Sequence, residues 1–152
     1  MSNYATENLR TLALVGHGSC GKTTLIEAML YRAGMIPEMG SIQRGTTMCD
    51  NDLLEKEVGH SIRLAVAHID TAMTDLTPVR IHILDTPGYP DYLGQDMSAL
   101  DAVKSVCAVI DPTKGPELLT RRLMAMAKER GLCRMIVINH MDDPEADLEK
   151  CL

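Results

Sequence analysis

The stretch Gly16-His17-Gly18-Ser19-Cys20-Gly21-Lys22-Thr23 limits what this chain can become more than any other. Two glycines separated by four residues and followed by Lys and Thr form the pattern of a phosphate-binding loop. Upstream, Leu12-Ala13-Leu14-Val15 is a short apolar run with strand character. Downstream, Thr24-Leu25-Ile26-Glu27-Ala28-Met29-Leu30 carries apolar residues at helical spacing, so the glycines fall at a strand-to-helix turn. In that setting the backbone N–H groups of the loop form an anion cradle, and the following helix adds the positive end of its dipole. Lys22 then supplies a point charge to terminal phosphates, and the hydroxyl of Thr23 is placed to hold a magnesium ion. The alternative is a glycine-rich turn whose lysine is merely solvated. The flanking strand and helix favour the phosphate loop.

A chain of 152 residues is one domain, long enough to bury a real core. The net charge of −6 argues against a free-standing or sequence-specific nucleic-acid binder, although it leaves docking onto a large ribonucleoprotein open. The five cysteines, Cys20, Cys49, Cys107, Cys133 and Cys151, are odd in number and form no Cys-x-x-Cys pair. They indicate neither a disulfide framework nor a zinc site, which implies a reducing, cytoplasmic setting. No apolar run approaches the roughly 20 residues a membrane helix needs, and the polar start Met1–Glu7 does not read as a signal peptide. With no Trp or Phe and eleven Met, the core is expected to be filled by aliphatic and thioether side chains.

Between Ala33 and His60 the periodicity disappears and Gly34, Pro37, Gly40, Gly45 and Gly59 lie among charged residues. This reads as a long loop, of a length unusual in a compact domain unless it works as a lid or switch. A partly helical surface insertion around Leu53–Glu57 is the alternative. Ile62–Ile69 and Val79–Leu84 are β-prone and read as a hairpin or two adjacent strands. Beyond them, Tyr92–Ala102 reads as a helix, Ser105–Ile110 as a buried strand, Pro116–Arg130 as an amphipathic helix and Arg134–Ile138 as another buried strand. Strands apolar on both faces that alternate with helices predict an α/β fold, a mostly parallel sheet covered on both sides. Ligands bind such sheets beyond the carboxyl ends of the strands.

Two further polar clusters fall at such ends. Asp85, in Asp85-Thr86-Pro87-Gly88, closes an apolar strand and is placed to hold magnesium, usually through water. Gly88 lets the backbone approach the terminal phosphate. An ordinary Pro-Gly turn capped by Asp is the bland reading of this stretch. Asn139-His140-Met141-Asp142 ends the last strand. A carboxylate there accepts hydrogen bonds from the N1–H and exocyclic amine of guanine, a pair of donors that adenine lacks. Asp142 would select guanine while Asn139 braces the loop, although Asn and Asp also occur in any loop that starts a helix.

In this order and spacing, the three clusters resemble the G domain of a translational GTPase, a P-loop NTPase three-layer sandwich. The similarity is to elongation factor G, to its elongation-factor-G-like paralogues and to tetracycline-resistance ribosomal protection proteins. It rests on Leu14–His17, Thr23–Tyr31, Gly45-Thr46-Thr47 and Asp85–Tyr92, and runs from about Leu9 to Asp142. The resemblance implies binding of GTP or GDP with Mg2+ through Gly16–Thr24, Asp85, Gly88, Asn139, His140 and Asp142. It implies metal ligation by Thr23, Asp85 and Ser61, the last standing where the family has a threonine. It also implies the ribosome as partner, and hydrolysis coupled to a conformational switch in which Lys22, Gly88 and residue 89 take part.

Four departures bear on that expectation. Tyr89 replaces the histidine that positions the attacking water in most of the family, and a phenol is no base at neutral pH. Hydrolysis is therefore expected to be slow without a partner, and a binding module with little hydrolysis of its own is the alternative. Ser19 stands where many relatives have an aspartate, and His140 where the guanine motif has lysine. Only Asp143–Leu152 follow that motif. By the resemblance, residues 1–152 are then an incomplete G domain that lacks its last strand and helix. The fifth strand is left as a bare sheet edge, open to self-association.

Overall fold

The structure, a computed structural model, describes residues 4–50 and 52–151. Met1–Asn3 of the polar start, Asn51 and Leu152 lie outside them. Five strands form one sheet: β1 (Leu9–Val15), β2 (Ala65–Ala72), β3 (Pro78–Asp85), β4 (Ser105–Ile110) and β5 (Cys133–Ile138), in the spatial order β2-β3-β1-β4-β5. β3, β1, β4 and β5 run parallel, and only β2 runs antiparallel, along β3. The carboxyl ends of β1, β3 and β5, with the three motif clusters, therefore open on one edge.

Alternation along the strands fills a core on each side of the sheet. On one face, Ala13 and Val15 of β1 and Val106 and Ala108 of β4 meet Ala99 and Leu100 of α3 (Leu93–Ala102) and Leu123 and Ala127 of α4 (Leu118–Glu129). On the other, Leu14, Ile83, Cys107 and Val109 meet Ile26 and Leu30 of α1 (Lys22–Arg32). Each fully buried Leu or Ile contributes roughly 2 kcal/mol, and the three layers are the arrangement in which both sheet faces gain it. The buried core consists of Ala, Val, Leu, Ile and Cys, and the expected thioether filling is not seen there. Met29, Met35, Met124 and Met126 pack at its margins, while Met39, Met48, Met73, Met135 and Met141 are exposed.

Three other expectations shift. The long loop after α1 holds a six-residue helix, α2 (Leu53–Val58), started by a capping box between Asp52 and Glu55. Glu55 is buried, and its Oε1 also accepts the N–H groups of Ile62 (2.9 Å) and Arg63 (3.0 Å). Those donors are taken before the ladder begins, so β2 starts at Ala65 rather than Ile62. β5 is an edge strand, with Cys133, Arg134, Met135 and Ile136 exposed, rather than a buried one.

Candidate functional site

α1 begins at Lys22 behind Gly21, which sits in the left-handed region (φ 90) and lends the helix no side-chain cap. The first-turn N–H groups thus face the loop. Lys22 folds back across it, its Nζ donating to the carbonyls of His17 (2.8 Å) and Gly16 (3.1 Å), and is buried. The turn after β3 lies directly against this ammonium. A Cβ on Gly88 would stand 2.4 Å from Nζ and 2.3 Å from the carbonyl oxygen of Gly16, at a φ of +79 that side chains rarely adopt. Only glycine fits there. Thr86 ties the same turn to β1 through a 2.9 Å hydrogen bond from its hydroxyl to the carbonyl of Leu14.

Behind the lysine, oxygens converge. The Thr23 hydroxyl donates to Asp85 Oδ2 at 2.6 Å and lies 3.2 Å from Ser61 Oγ, which donates to Asp50 Oδ1 at 2.6 Å. Asp50 Oδ2 accepts from Thr47 at 3.0 Å. Asp85 is completely buried and its Oδ1 has no hydrogen-bond partner. Burial, opposed by the Thr23 hydroxyl and the charge of Lys22, pushes its carboxyl up to about 6. Two carboxylates and two hydroxyls, with one buried oxygen unpartnered, form a donor set that fits a hard dication. Thr23, Ser61 and Asp85 are thus brought together, and Asp50 joins them.

A cavity of about 300 Å³ opens at the phosphate loop, lined by Ser19, Gly21, Lys22, Thr23 and Thr24 on one side and by Ile42, Gln43, His60, Ser61, Tyr89 and His140 around it. Asn139 stands behind the loop as a clamp, its Nδ2 donating to the carbonyl of Cys20 at 3.0 Å. A Cβ on Gly21 would lie 2.2 Å from that nitrogen. Cys20 is buried in the core, and burial pushes its thiol up. His140 adopts a positive φ of 54, 3.6 Å from Asp111. Asp142 is exposed on the loop beyond β5 and does not line the cavity. Nor do Gly16, Cys20, Asp85 or Asn139, which support the wall from behind.

His17, Gly18 and Gly88 open on a second cavity of about 360 Å³, shared with Leu93, Leu118 and Arg122. Tyr89 is the partition between the two cavities, since it lines both. Its ring lies on Gly18, where a Cβ would come within 2.3 Å of Cζ. On the other side it meets the His60 ring, with centroids 4.5 Å apart and planes tilted by 40°. His17 is buried, 3.7 Å from Glu117, and burial lowers its imidazole below the usual range.

Residues 7–152 match the model of the elongation factor Tu GTP binding domain. The chain belongs to this family. It is 35% identical over 147 residues to the mitochondrial ribosome-releasing factor 2 of Drosophila melanogaster, covering 97% of this chain and 19% of that protein. It is 34% identical over 137 residues to the tetracycline resistance protein TetM from transposon Tn1545 of Enterococcus faecalis, covering 90% of this chain and 21% of the relative. Among solved structures, one from Thermus thermophilus superimposes with a TM-score of 0.77 at 36% identity, over 85% of this chain and 19% of that one. The chain thus spans about a fifth of the length of these relatives. It is the GTP-binding domain type found in translation factors, and its five-stranded α/β sheet is that of a P-loop GTPase domain.

Within this family framework, the sequence reading missed the residues that fasten the 33–60 segment to the site. Glu27 of α1 is buried and accepts the backbone N–H groups of Gly40 (2.9 Å) and Met48 (2.5 Å). Asp50 and Glu55 do the same work further along. Glu27 sits among the apolar residues of α1, where a carboxylate with no local partner was the available signal. Asp50 lies in aperiodic polar sequence, and only its spacing from Thr47 marks it.

Proposed function

We propose that this chain is the nucleotide-binding part of an elongation-factor-G-like translational GTPase, which binds GTP or GDP with magnesium and couples hydrolysis to a conformational switch on the ribosome. The observation that carries this reading is the set of contacts Thr23–Asp85 and Thr23–Ser61–Asp50, which joins the phosphate loop, β3 and the 33–60 segment at one oxygen-lined point. Magnesium bound there would neutralise phosphate charge, the main help that phosphoryl transfer requires. Lys22 turns its ammonium from the carbonyls of Gly16 and His17 to the terminal phosphates. The N–H of Gly88 lies beside it and senses whether the last phosphate is present. Ser61 carries the same information into the 33–60 segment, whose backbone hangs on Glu27 and whose own Glu55 holds the N–H of Ile62.

From the loop beyond β5, outside the cavity wall, Asp142 selects guanine by accepting its N1–H and amine, while Asn139 holds the phosphate loop at the carbonyl of Cys20. The names of the relatives, a ribosome-releasing factor and a tetracycline resistance protein, support the ribosome as partner. A reducing, cytoplasmic setting fits the five free cysteines, and no helix among the described residues is long and apolar enough to cross a membrane. The exposed edge of β5 supports pairing with a second copy of this chain. One observation favours a second reading, a binding module with little hydrolysis of its own: the phenol of Tyr89 is wedged over Gly18.

The deciding experiment is fluorescent guanine-nucleotide binding by the chain and by Asp142→Asn, in competition with ATP and xanthosine nucleotide. The parent is expected to prefer GTP over ATP. The variant should lose guanine affinity on the order of 100-fold and gain xanthosine affinity, since an amide presents a donor where the carboxylate accepted. Equal displacement by ATP, or an unchanged preference in the variant, refutes the assignment.

A further inference from the structure

We propose that His60 is the residue that positions the attacking water at the terminal phosphate, an inference that rests on the nucleotide reading above. Hydrolysis needs a hydrogen-bond acceptor that can hold a water in line with the phosphorus. The side chains lining the cavity at the phosphate loop can be taken in turn. Lys22 has no acceptor atom. Thr23 and Ser61 donate to Asp85 and Asp50, which turns their remaining lone pairs to the metal side of the site. Thr86 is completely buried with its hydroxyl turned into β1, and Gln43 is exposed, its amide oxygen held by the Ser41 hydroxyl at 2.8 Å. Ser19 and Thr24 belong to the loop and helix that cradle the phosphates. His140 lies at the base end, beside Asp111. Tyr89 rests its phenol on Gly18, where a Cβ would fall 2.6 Å from the hydroxyl oxygen.

His60 remains, next to the metal-side serine and braced by the Tyr89 ring. Its tautomer is suited to the task. Nδ1 lies 3.3 Å from the carbonyl oxygen of Ser61, which can only accept, so in the neutral ring the hydrogen sits on Nδ1 and the lone pair on Nε2. That nitrogen accepts one hydrogen from the water. The water oxygen forms a bond to the γ-phosphorus, and the bond from phosphorus to the β–γ bridging oxygen breaks, its electron pair leaving with GDP. The water proton ends on the released phosphate, and the imidazole keeps none. In this arrangement Tyr89 is a platform, and Gly18 is small so that the platform can lie flat on the phosphate loop.

The test is single-turnover GTP hydrolysis by the whole chain, with and without ribosomes, for the parent and for His60→Phe, His60→Gln and His60→Ala. GDP affinity is measured on each. Phe keeps a ring on Tyr89 but has no nitrogen, whereas Gln offers an amide oxygen that can hold a water. The expected result is a 10- to 100-fold loss of turnover in His60→Phe and His60→Ala, a smaller loss in His60→Gln, and GDP affinity and half-saturating GTP within twofold of the parent. A His60→Phe variant that turns over at the parental rate while binding GDP overturns this inference alone. So does turnover that falls only in step with GDP affinity, or a parent that binds nucleotide and does not hydrolyse it. A parent that binds no guanine nucleotide overturns the nucleotide reading as well.

Discussion

Replacing Asp85 with Asn tests the reasoning about the oxygen cluster most directly. Burial is the main reason that the Asp85 carboxyl stands at about 6 instead of 3.8. Asp50 and Glu55 add to it, while the Thr23 hydroxyl and Lys22 oppose it. That separation corresponds to about 3 kcal/mol by which ionised Asp85 burdens the native state. The native carboxyl holds its proton more tightly than the unfolded chain does, so the native state binds more protons in this window and stability falls as pH rises through it. The burden is absent below about pH 4 and complete above about pH 6. Asparagine removes the charge and keeps an acceptor for Thr23, but puts an amide where Oδ1 has no partner, at a cost of about 1–2 kcal/mol. At about pH 7.5 in chelator, Asp85→Asn should therefore be more stable than the parent by about 1–2 kcal/mol, raising Tm by about 4 °C. At about pH 4 it should be less stable by a similar amount. Thermal unfolding across this range, followed by circular dichroism, reads the crossing directly. Magnesium with GDP should reverse the order at neutral pH by stabilising the parent alone. A stability difference that is flat with pH, or an Asn variant that is weaker at both ends, refutes the account.

Two further outcomes follow from the packing. Gly18→Ala drives a methyl into the Tyr89 ring and should lower Tm by several degrees, whereas the double variant Gly18→Ala/Tyr89→Ala should recover most of that loss relative to Tyr89→Ala alone, a coupling of about 1–2 kcal/mol in a double-mutant cycle. Ile136→Lys on the exposed edge strand should leave Tm within about 1 °C and shift any dimer seen in sedimentation velocity towards monomer, because a lysine on an edge opposes strand pairing.

The phosphate loop, the order of strands and helices, and the edge on which the clusters meet were legible in the sequence, because periodicity and glycine placement are local properties. Tertiary competition was not legible. Periodicity starts β2 at Ile62, yet the Glu55 carboxylate takes two N–H groups that the ladder would otherwise use. Arg134–Ile138 is apolar enough to read as buried, but burial depends on what lies alongside, and nothing among the described residues covers that edge. The eleven methionines suggested a thioether core, whereas parallel strands packed closely on helices select branched and small side chains and push the flexible ones outward. At the site, pattern singled out Lys22, Thr23 and Asp85, the family resemblance added Ser61, and the structure brings Thr23, Ser61 and Asp85 within hydrogen-bond reach of one another. Asp50 and Glu27 were not singled out, because Glu27 takes backbone N–H groups 13 and 21 residues away and Asp50 takes the hydroxyl of Ser61, 11 residues on, and neither reach shows in local periodicity.

Of the buried carboxylates at the 33–60 segment, Asp50 and Glu55 belong to the segment and tie it to Ser61, Ile62 and Arg63, whereas Glu27 reaches it from α1 and grips the N–H groups of Gly40 and Met48. One carboxylate thus pins two points eight residues apart. Releasing either leaves a negative charge short of a donor in a dry interior, so the two points are expected to loosen together and the stretch between them to lift as a flap rather than unzip from one end.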